Sequence, residues 1–285
     1  PAEIEAGDLR ALAAWIEGRG EIAQGDFRRL SLRGEVTLGS EKIAVERLKA
    51  EFDRKPIAGR LVYVFATANK SAKLDAELNA SELDIDAALG FGNALLAGSD
   101  IARPHDMTIA LDIGRATFAG FVGRNASVRL KVDGDGLQID RLAVADLGGA
   151  AFSASGRIVT ASPSPRGSMR LDLDAPDMTP VMAVLARFAP VTAQLLARGA
   201  PMMAPAKLHA RLTIDGAASA TQAKLGIDGS LGKVRLALNG QAGADPIAFS
   251  VGDLRLDAKF EADDGKALVA MLGLDRLVVA SAGPG

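Results

Sequence analysis

Apolar and polar residues alternate along most of this chain with the two-residue period of a β-strand. The alternation is strict in residues 72–80, 169–175, 206–215 and 254–262. Because successive side chains of a strand point to opposite faces, each of these runs has one apolar face and one charged face. This pattern is typical of an antiparallel sheet that is covered on one face and solvated on the other.

Glycine-rich segments separate neighbouring runs by distances that suit hairpins. Residues 133–136 read Asp-Gly-Asp-Gly, Gly148 and Gly149 are adjacent, and residues 229–232 begin and end with glycine. Glycine and aspartate favour the tight turns that join antiparallel strands. We therefore expect most strands to pair with their neighbours in sequence.

Four segments depart from alternation and have helical spacing of apolar residues: 8–17, 83–96, 178–198 and 265–272. In each of them apolar residues recur three or four positions apart, which predicts a short amphipathic helix. Pro190 lies inside the third segment and is expected to divide it into two helices, because proline disrupts a helix interior.

A junction between strand and helix recurs three times along the chain. Residues 78–82 read LNASE, residues 173–177 read LDAPD and residues 260–264 read FEADD. The first two copies lie about 95 residues apart, and a fixed period of this kind indicates a structural repeat.

Two further landmarks repeat at nearly the same interval. Gly59-Arg60-Leu61 corresponds to Gly156-Arg157-Ile158, and Glu46-Arg47 corresponds to Asp140-Arg141. The last pair inserts two polar residues into an alternating run, which predicts a β-bulge in both copies. The repeat unit is thus a set of hairpin strands followed by a helix.

Units of this kind bury their apolar faces by stacking, so we expect one array and not two independent domains. The predicted fold is mainly β: an elongated, curled antiparallel sheet, a repeating β-groove, built from hairpin repeats with short amphipathic helices. In residues 1–285 we expect the end of a preceding unit (1–29), unit A (30–98), unit B (106–200) and a partial unit C (206–285).

Composition narrows the classes of function. The chain is 48% hydrophobic and 24% charged, with Lys+Arg 33 and Asp+Glu 35, so it has the composition of a globular protein. Its interleaved charges and formal net charge of -2 give no broad basic surface, which argues against nucleic acid as a partner. With Cys 0, it has no disulfide and no cysteine nucleophile or metal ligand.

The histidines give no sign of catalysis. His105 follows a proline in a loop, and His209 alternates with Lys207 and Arg211 on the charged face of a strand, where a solvated side chain is expected. Neither has a partner in the sequence that predicts a metal site or a general base, and no nucleophile-elbow motif is present. We therefore predict a protein that is not an enzyme and that uses no metal or cofactor.

Four segments together resemble the AsmA family of bacterial envelope proteins. These are GDLRALAAWIEG (7–18), IAGRL (57–61), KLDAELNASELDID (73–86) and GLQIDRLAVADLGGAAFSASGRI (136–158). The family is similar in architecture to TamB-like and chorein-type bridge proteins, whose long curled sheet carries lipids along its inner face.

The resemblance implies a periplasmic segment of a longer protein, anchored in the inner membrane through an N-terminal part absent from this fragment. The implied role is in outer-membrane lipid homeostasis and assembly, with phospholipid and outer-membrane assembly proteins as partners. The candidate lipid-binding residues are the apolar positions of the alternating runs: Leu74, Leu78, Val128, Leu130, Leu171, Leu173, Leu208, Leu212, Leu236, Leu238, Leu254 and Leu256.

Periodicity leaves open which of these residues line a groove and which pack beneath helices, because both environments are apolar. It also leaves open a second function: a scaffold for outer-membrane protein assembly that offers a sheet edge to another protein, without lipid transport. An enzyme acting on envelope polysaccharide is a third alternative. Acidic residues alternate along solvated faces here, whereas glycosidases pair two carboxylates.

Overall fold

The computed structural model describes residues 2–3, 30–52, 54–90, 104–160, 165–197, 199–217, 220–245, 250–265 and 269. The described part contains fourteen strands, a helical stretch over residues 85–90, two further helices, α1 and α2, and one 3-10 turn. The strands are β1 Ala2–Glu3, β2 Leu30–Leu38, β3 Lys42–Phe52, β4 Lys55–Val64, β5 Lys73–Asp84, β6 Asp106–Phe118, β7 Phe121–Asp133, β8 Gly136–Leu147, β9 Ala150–Val159, β10 Arg166–Ala175, β11 Ala206–Ala217, β12 Ala220–Leu231, β13 Val234–Asp245 and β14 Ser250–Ala262. The helical elements are α1 Thr179–Phe188, α2 Pro190–Leu196 and the 3-10 turn Ala200–Met202.

The strands follow one another in the sheet in the order of the sequence. One sheet contains β1 to β14 in that order, with β1 and β14 at its two ends among the described residues. Neighbouring strands pair antiparallel from β1 to β5 and from β8 to β14. The predictions of a mainly β fold and of sequential hairpin strands are confirmed.

One pair departs from the predicted antiparallel pattern. Strands β5 and β6 are parallel, with Lys73 opposite Asp106 and Asp84 opposite Thr117. The long connection over residues 85–105 permits this parallel pairing, because parallel neighbours need a crossover of about a dozen residues or more. Residues 85–90 of this connection are helical, as expected, and the rest of the predicted helix over 83–96 lies outside the described residues.

The predicted bulges are confirmed. The register of β3 against β4 slips between Val45 and Leu48, around Glu46-Arg47. The register of β8 against β9 slips between Ile139 and Leu142, around Asp140-Arg141. In both copies the two polar residues are exposed, because the bulge turns one extra side chain away from the apolar face.

Two of the three predicted turns lie where the glycines placed them. Strand β7 turns into β8 over residues 134–135, and β8 turns into β9 over Gly148 and Gly149, both of which have positive φ. The third turn lies later than expected: β12 continues through Gly229, and residues 232–233 form the turn.

The helix predictions are confirmed where the structure describes them. The apolar segment after β10 forms α1 and α2, and Pro190 is the first residue of α2. Asp177 precedes α1, and its Oδ1 accepts hydrogen bonds of 2.9 Å from both the backbone N and the Oγ1 of Thr179, the first residue of the helix. The helix predicted at 8–17 and most of the one at 265–272 lie outside the described residues.

The chain divides into two compact units. The first contains Pro1–Phe118 and Val122–Gly134, and the second contains Ala119–Phe121 and Asp135–Gly285. The predicted units A, B and C are sequence repeats and stay a prediction. In the first unit, the core on the apolar face is formed by Val36, Val45, Leu48 and Ala50, with Ile43, Ile57 and Leu78 packed against it.

In the second unit, the core lies where the helical segment meets the ends of the strands. Its buried members are Ala150, Ala175, Met178, Met203, Ala206, Leu231, Val234 and Ala262. Four of these residues are alanines. Two of them, Ala175 and Ala206, face each other where β10 ends and β11 begins, which lets the helical segment approach the sheet closely there.

Candidate functional site

The second unit presents one apolar face across six strands, β9 to β14. The strand register places residues from each strand directly opposite one another, so they form rows that cross the sheet. The buried core residues at the strand ends form the row closest to the helices. The next row along the strands starts at Phe152 and ends at Phe260, and we call it the covered row. Its members are Phe152, Leu173, Leu208, Gly229, Leu236 and Phe260.

Two further rows run beside the covered row, and we call them the open rows. The first contains Ala154, Leu171, Ala210, Ile227, Leu238 and Ala258, and the second contains Gly156, Met169, Leu212, Leu225, Gly240 and Leu256. Beyond them lies a fourth row, with Ile158, Gly167, Ile214, Ala223, Ala242 and Leu254. All eight candidate residues of the second unit occupy positions in these four rows.

The helical segment covers one side of this face. Val181 and Met182 of α1 and Leu196 of α2 pack against the buried core. Leu173, Leu208, Leu236 and Phe260 of the covered row pack against the same core. These candidate leucines are therefore packing residues in this structure, a distinction that alternation alone does not make.

The open rows leave large apolar side chains in water. Leu171 is 42% exposed, Leu225 is 36% exposed and Leu256 is 53% exposed, and they lie on three different strands of the same face. The other large residues of these rows are half-buried: Met169, Leu212, Ile227 and Leu238. Exposed apolar residues that adjoin one another mark binding surfaces more often than isolated ones do.

Three large residues of the open rows were not among the candidates from the sequence: Met169, Leu225 and Ile227. All three share the face of the candidates. Met169 and Leu225 lie opposite Leu212, one on each neighbouring strand, and Ile227 lies opposite Leu238. Their alternation with Arg170, Lys224 and Asp228 was the signal that would have identified them.

The opposite face of the same strands is charged. His209 and Asp172 are directly opposed on β11 and β10, and the His209 Nδ1 lies 2.6 Å from the Asp172 Oδ1. The expectation that neither histidine has a partner is therefore wrong for His209, because Asp172 is distant in sequence and becomes its neighbour only through strand pairing. This hydrogen bond raises the pKa of His209 and lowers that of Asp172.

The same carboxylate also accepts a hydrogen bond from a serine. The Ser153 Oγ donates to the Asp172 Oδ2 at 3.3 Å. In a serine hydrolase the histidine lies between the serine and the acid, whereas here the acid lies between the other two. The group is a solvated cross-strand network, and His209 is not placed to take a proton from Ser153.

His105 is exposed just before β6, and its backbone N donates to the Ala72 carbonyl at 3.0 Å. The side chains within the described ranges bring together no group of three or more His, Asp or Glu residues suited to a metal ion.

The candidates of the first unit also lie on an apolar face. Leu74 pairs with Tyr63 and Met107, and Leu78 pairs with Gly59 and Leu111. Arg129 of β7 donates to the carboxylate of Asp112 and to the Leu111 carbonyl, on the charged face. Because Val128 and Leu130 flank Arg129, they lie on the apolar face. All four candidates are half-buried.

The charged face of the first unit contains a chain of ion pairs. The Arg60 Nε lies 3.1 Å from the Glu77 Oε2, and its Nη2 lies 3.5 Å from the Asp75 Oδ1. A shallow cavity of about 370 Å³ beside these residues is lined mostly by charged side chains, including Glu46, Arg47 and Arg129. This face suits contact with water, in contrast to the apolar face behind it.

No helix in the described part of the chain is long and apolar enough to cross a lipid bilayer. No protein-family model, no curated protein and no solved structure matches this chain.

Proposed function

We propose that this chain binds lipid, with acyl chains lying along the open rows of the second unit. The observation that carries the proposal is the exposure of Leu171, Leu225 and Leu256 on one face, beside the row that the helices cover. A sheet that only needed a core would gain stability by extending that cover across the remaining rows, since burying a leucine side chain contributes about 1.5–3 kcal/mol.

The dimensions of the open rows suit an acyl chain. Six strands at roughly 4.8 Å give rows about 24 Å long. The hydrocarbon of one bilayer leaflet is about 15 Å deep, half of a core of roughly 30 Å. A lipid tail therefore fits along a row, and each methylene removed from water contributes about 0.8 kcal/mol. The site is apolar without a charged anchor in its rows, which favours recognition of the tails over a specific headgroup.

We further propose that the chain is a periplasmic segment of an AsmA-like protein anchored in the inner membrane, acting in outer-membrane lipid homeostasis and assembly. The support is the set of sequence segments that resemble the family, together with the sheet of hairpin strands and its one-sided apolar face. Transport along the protein has to be tested in the full-length parent, because a single segment shows binding only.

A binding experiment with matched variants tests the proposal. Binding of a fluorescent fatty acid to the purified chain is measured for the wild type, for Leu171→Asp and for Leu225→Asp. Leu38→Asp is the control, since Leu38 is 52% exposed and belongs to β2 of the first unit, which is not part of the open rows. We expect both open-row variants to bind at least ten-fold more weakly and the control to bind like the wild type.

Mass spectrometry of the purified chain provides a second measurement. We expect phospholipid to co-purify with the wild type and to be depleted in the two open-row variants. A wild type that carries no phospholipid and binds no fatty acid would refute lipid binding and would favour the scaffold function.

A further inference from the structure

The corner between α1 and α2 exposes two large apolar side chains. Phe188 is 71% exposed and Val191 is 70% exposed, the highest values among the large apolar side chains of the described residues. Only Ala189 and Pro190 separate them, and Pro190 ends the first helical run and starts the second. Both side chains therefore present most of their surface to solvent at one point of the molecule.

The side of the helical segment that faces the sheet already packs its apolar residues into the core. Met178, Val181 and Met182 pack on the sheet around α1, and Ala193 is buried in α2. An amphipathic helix that covers a sheet normally has polar residues on its outer side. Phe188 and Val191 break this pattern, and their exposure raises the free energy of the chain in water.

The net charge of the helical segment indicates which kind of surface would bind this corner. Residues 178–205 contain two arginines, Arg187 and Arg198, and no acidic residue. The acid before the segment, Asp177, accepts a hydrogen bond from the backbone N of Thr179 at the start of α1, about 16 Å from Phe188 at 1.5 Å per residue. Cationic residues beside exposed aromatic and aliphatic side chains are the composition of segments that insert into the interface of an anionic membrane.

We infer that the α1–α2 corner inserts Phe188 and Val191 into the interfacial layer of an anionic phospholipid bilayer. With α1 at 10 residues and α2 at 7, both helices are far shorter than the roughly 20 residues needed to span a bilayer, so the contact is at the surface. The inference rests on the corner alone and does not require lipid in the open rows. If both sites operate, the same helical segment touches a membrane and borders the acyl-binding face.

Vesicle co-sedimentation of the whole chain tests the inference. The probes are vesicles of phosphatidylcholine alone and vesicles containing phosphatidylglycerol. The variant Phe188→Ser/Val191→Ser removes the corner, and Leu38→Ser removes a similarly exposed apolar side chain elsewhere. Because the substituted side chains are mostly exposed, circular dichroism should show that both variants fold.

We expect the wild type to bind the anionic vesicles and the double variant to bind at least ten-fold more weakly, with Leu38→Ser unchanged. Arg187→Gln should weaken binding to the anionic vesicles and reduce its dependence on salt concentration. Equal binding by the double variant and the wild type would overturn the inference. A second result would also overturn it: the wild type does not bind vesicles and is a dimer, and the double variant is a monomer. The corner would then be a contact between proteins.

Leu171→Asp separates this inference from the proposed function. Because Leu171 lies in the open rows and not at the corner, this variant should lose fatty-acid binding and keep vesicle binding. A chain that binds vesicles through the corner without binding fatty acid would refute the open-row site alone, and the converse result would refute the corner alone.

Discussion

Leu171 and Leu173 show how two identical residues of one strand reach different environments. Both lie on β10, two positions apart, and both point to the apolar face. Leu173 packs against the core beneath the helices, whereas Leu171 is 42% exposed. A leucine at such a position stabilises the fold in the first case and is available to a ligand in the second.

Aspartate substitutions at these two positions should therefore differ in their effect on folding. Both variants share the cost of placing aspartate in a strand, which is about 1 kcal/mol or less. Leu173→Asp also places a charge against the buried core, and we expect it to lower the free energy of unfolding by about 2 kcal/mol more than Leu171→Asp. Leu208→Asp should behave like Leu173→Asp. Urea denaturation measures the difference, and equal losses at Leu171 and Leu173 would show that the open rows are closed in solution.

The pair formed by His209 and Asp172 gives a prediction in pH. The hydrogen bond to Asp172 raises the pKa of His209 above its ordinary value of 6.5, and it lowers the pKa of Asp172 below its ordinary value of 3.8. A raised histidine pKa stabilises the folded state below about pH 6.5, and this contribution is lost as the pH rises through the raised value. The contribution of Asp172 to folding stability is lost at acidic pH, as the pH falls through its lowered carboxyl pKa.

NMR titration of the His209 ring should give a pKa above 6.5 in the wild type and a lower one in Asp172→Asn. Both side chains are solvated, so His209→Ala should change stability only slightly. An unchanged histidine pKa in Asp172→Asn would show that the pair does not form in solution.

At the scale of elements, the sequence repeat corresponds to repeated geometry. Gly59 on β4 and Gly156 on β9 have φ values of 151° and 147°, which other residues rarely adopt. The alanines of the three junction motifs are also alike: Ala80, Ala175 and Ala262 are all buried. A glycine inside a middle strand and a small residue where the strand meets its helix are thus requirements of the repeat.

The glycine in the strand predicts a strong effect of a single methyl group. A Cβ at Gly156 would collide with the backbone carbonyl oxygen of Ser168 on the neighbouring strand, in addition to the strain of its φ. We expect Gly156→Ala to lower the free energy of unfolding by at least about 1–3 kcal/mol, the usual cost of one strained residue. A Cβ at Gly134, in the β7–β8 turn, would meet nothing within 4 Å, so Gly134→Ala is the matched control. Similar melting temperatures for the two variants would contradict this account.

At the scale of the whole molecule, two faces of opposite character run through the strands of each unit. In the second unit the charged side contains the His209–Asp172 network, and the apolar side contains the covered and open rows. A ligand that binds only the folded state stabilises it in proportion to the logarithm of its concentration relative to Kd. Lipid binding should therefore appear as added stability of this unit.

We expect a single-chain phospholipid at 100 times its Kd to raise the free energy of unfolding by about 2.7 kcal/mol. Amide hydrogen exchange of β10 to β13 is the measurement, because these four strands form the middle of the open rows. Glycerophosphocholine, which has the headgroup without the tail, should have no effect. Protection of these amides by the headgroup alone would place the ligand on the charged face and contradict the assignment.

The sequence by itself determined the strands, the hairpin order and the bulges. Each of these follows from local chemistry: alternation specifies a strand with one apolar face, glycine permits the turn at Gly148, and the pair Glu46-Arg47 interrupts the two-residue period. The division of the helical segment at Pro190 is also local, because the proline ring clashes with the preceding turn of helix and its nitrogen has no hydrogen to donate.

Tertiary structure alone decided which apolar residues are covered. Alternation assigns Leu171 and Leu173 to the same face. Their exposure differs only because of where α1 and α2 pack on the sheet. The parallel pairing of β5 with β6 and the contact between Asp172 and His209 likewise depend on where distant segments return. A periodic pattern reports the direction of a side chain relative to its own strand, whereas exposure and partnership depend on what the rest of the chain places against it.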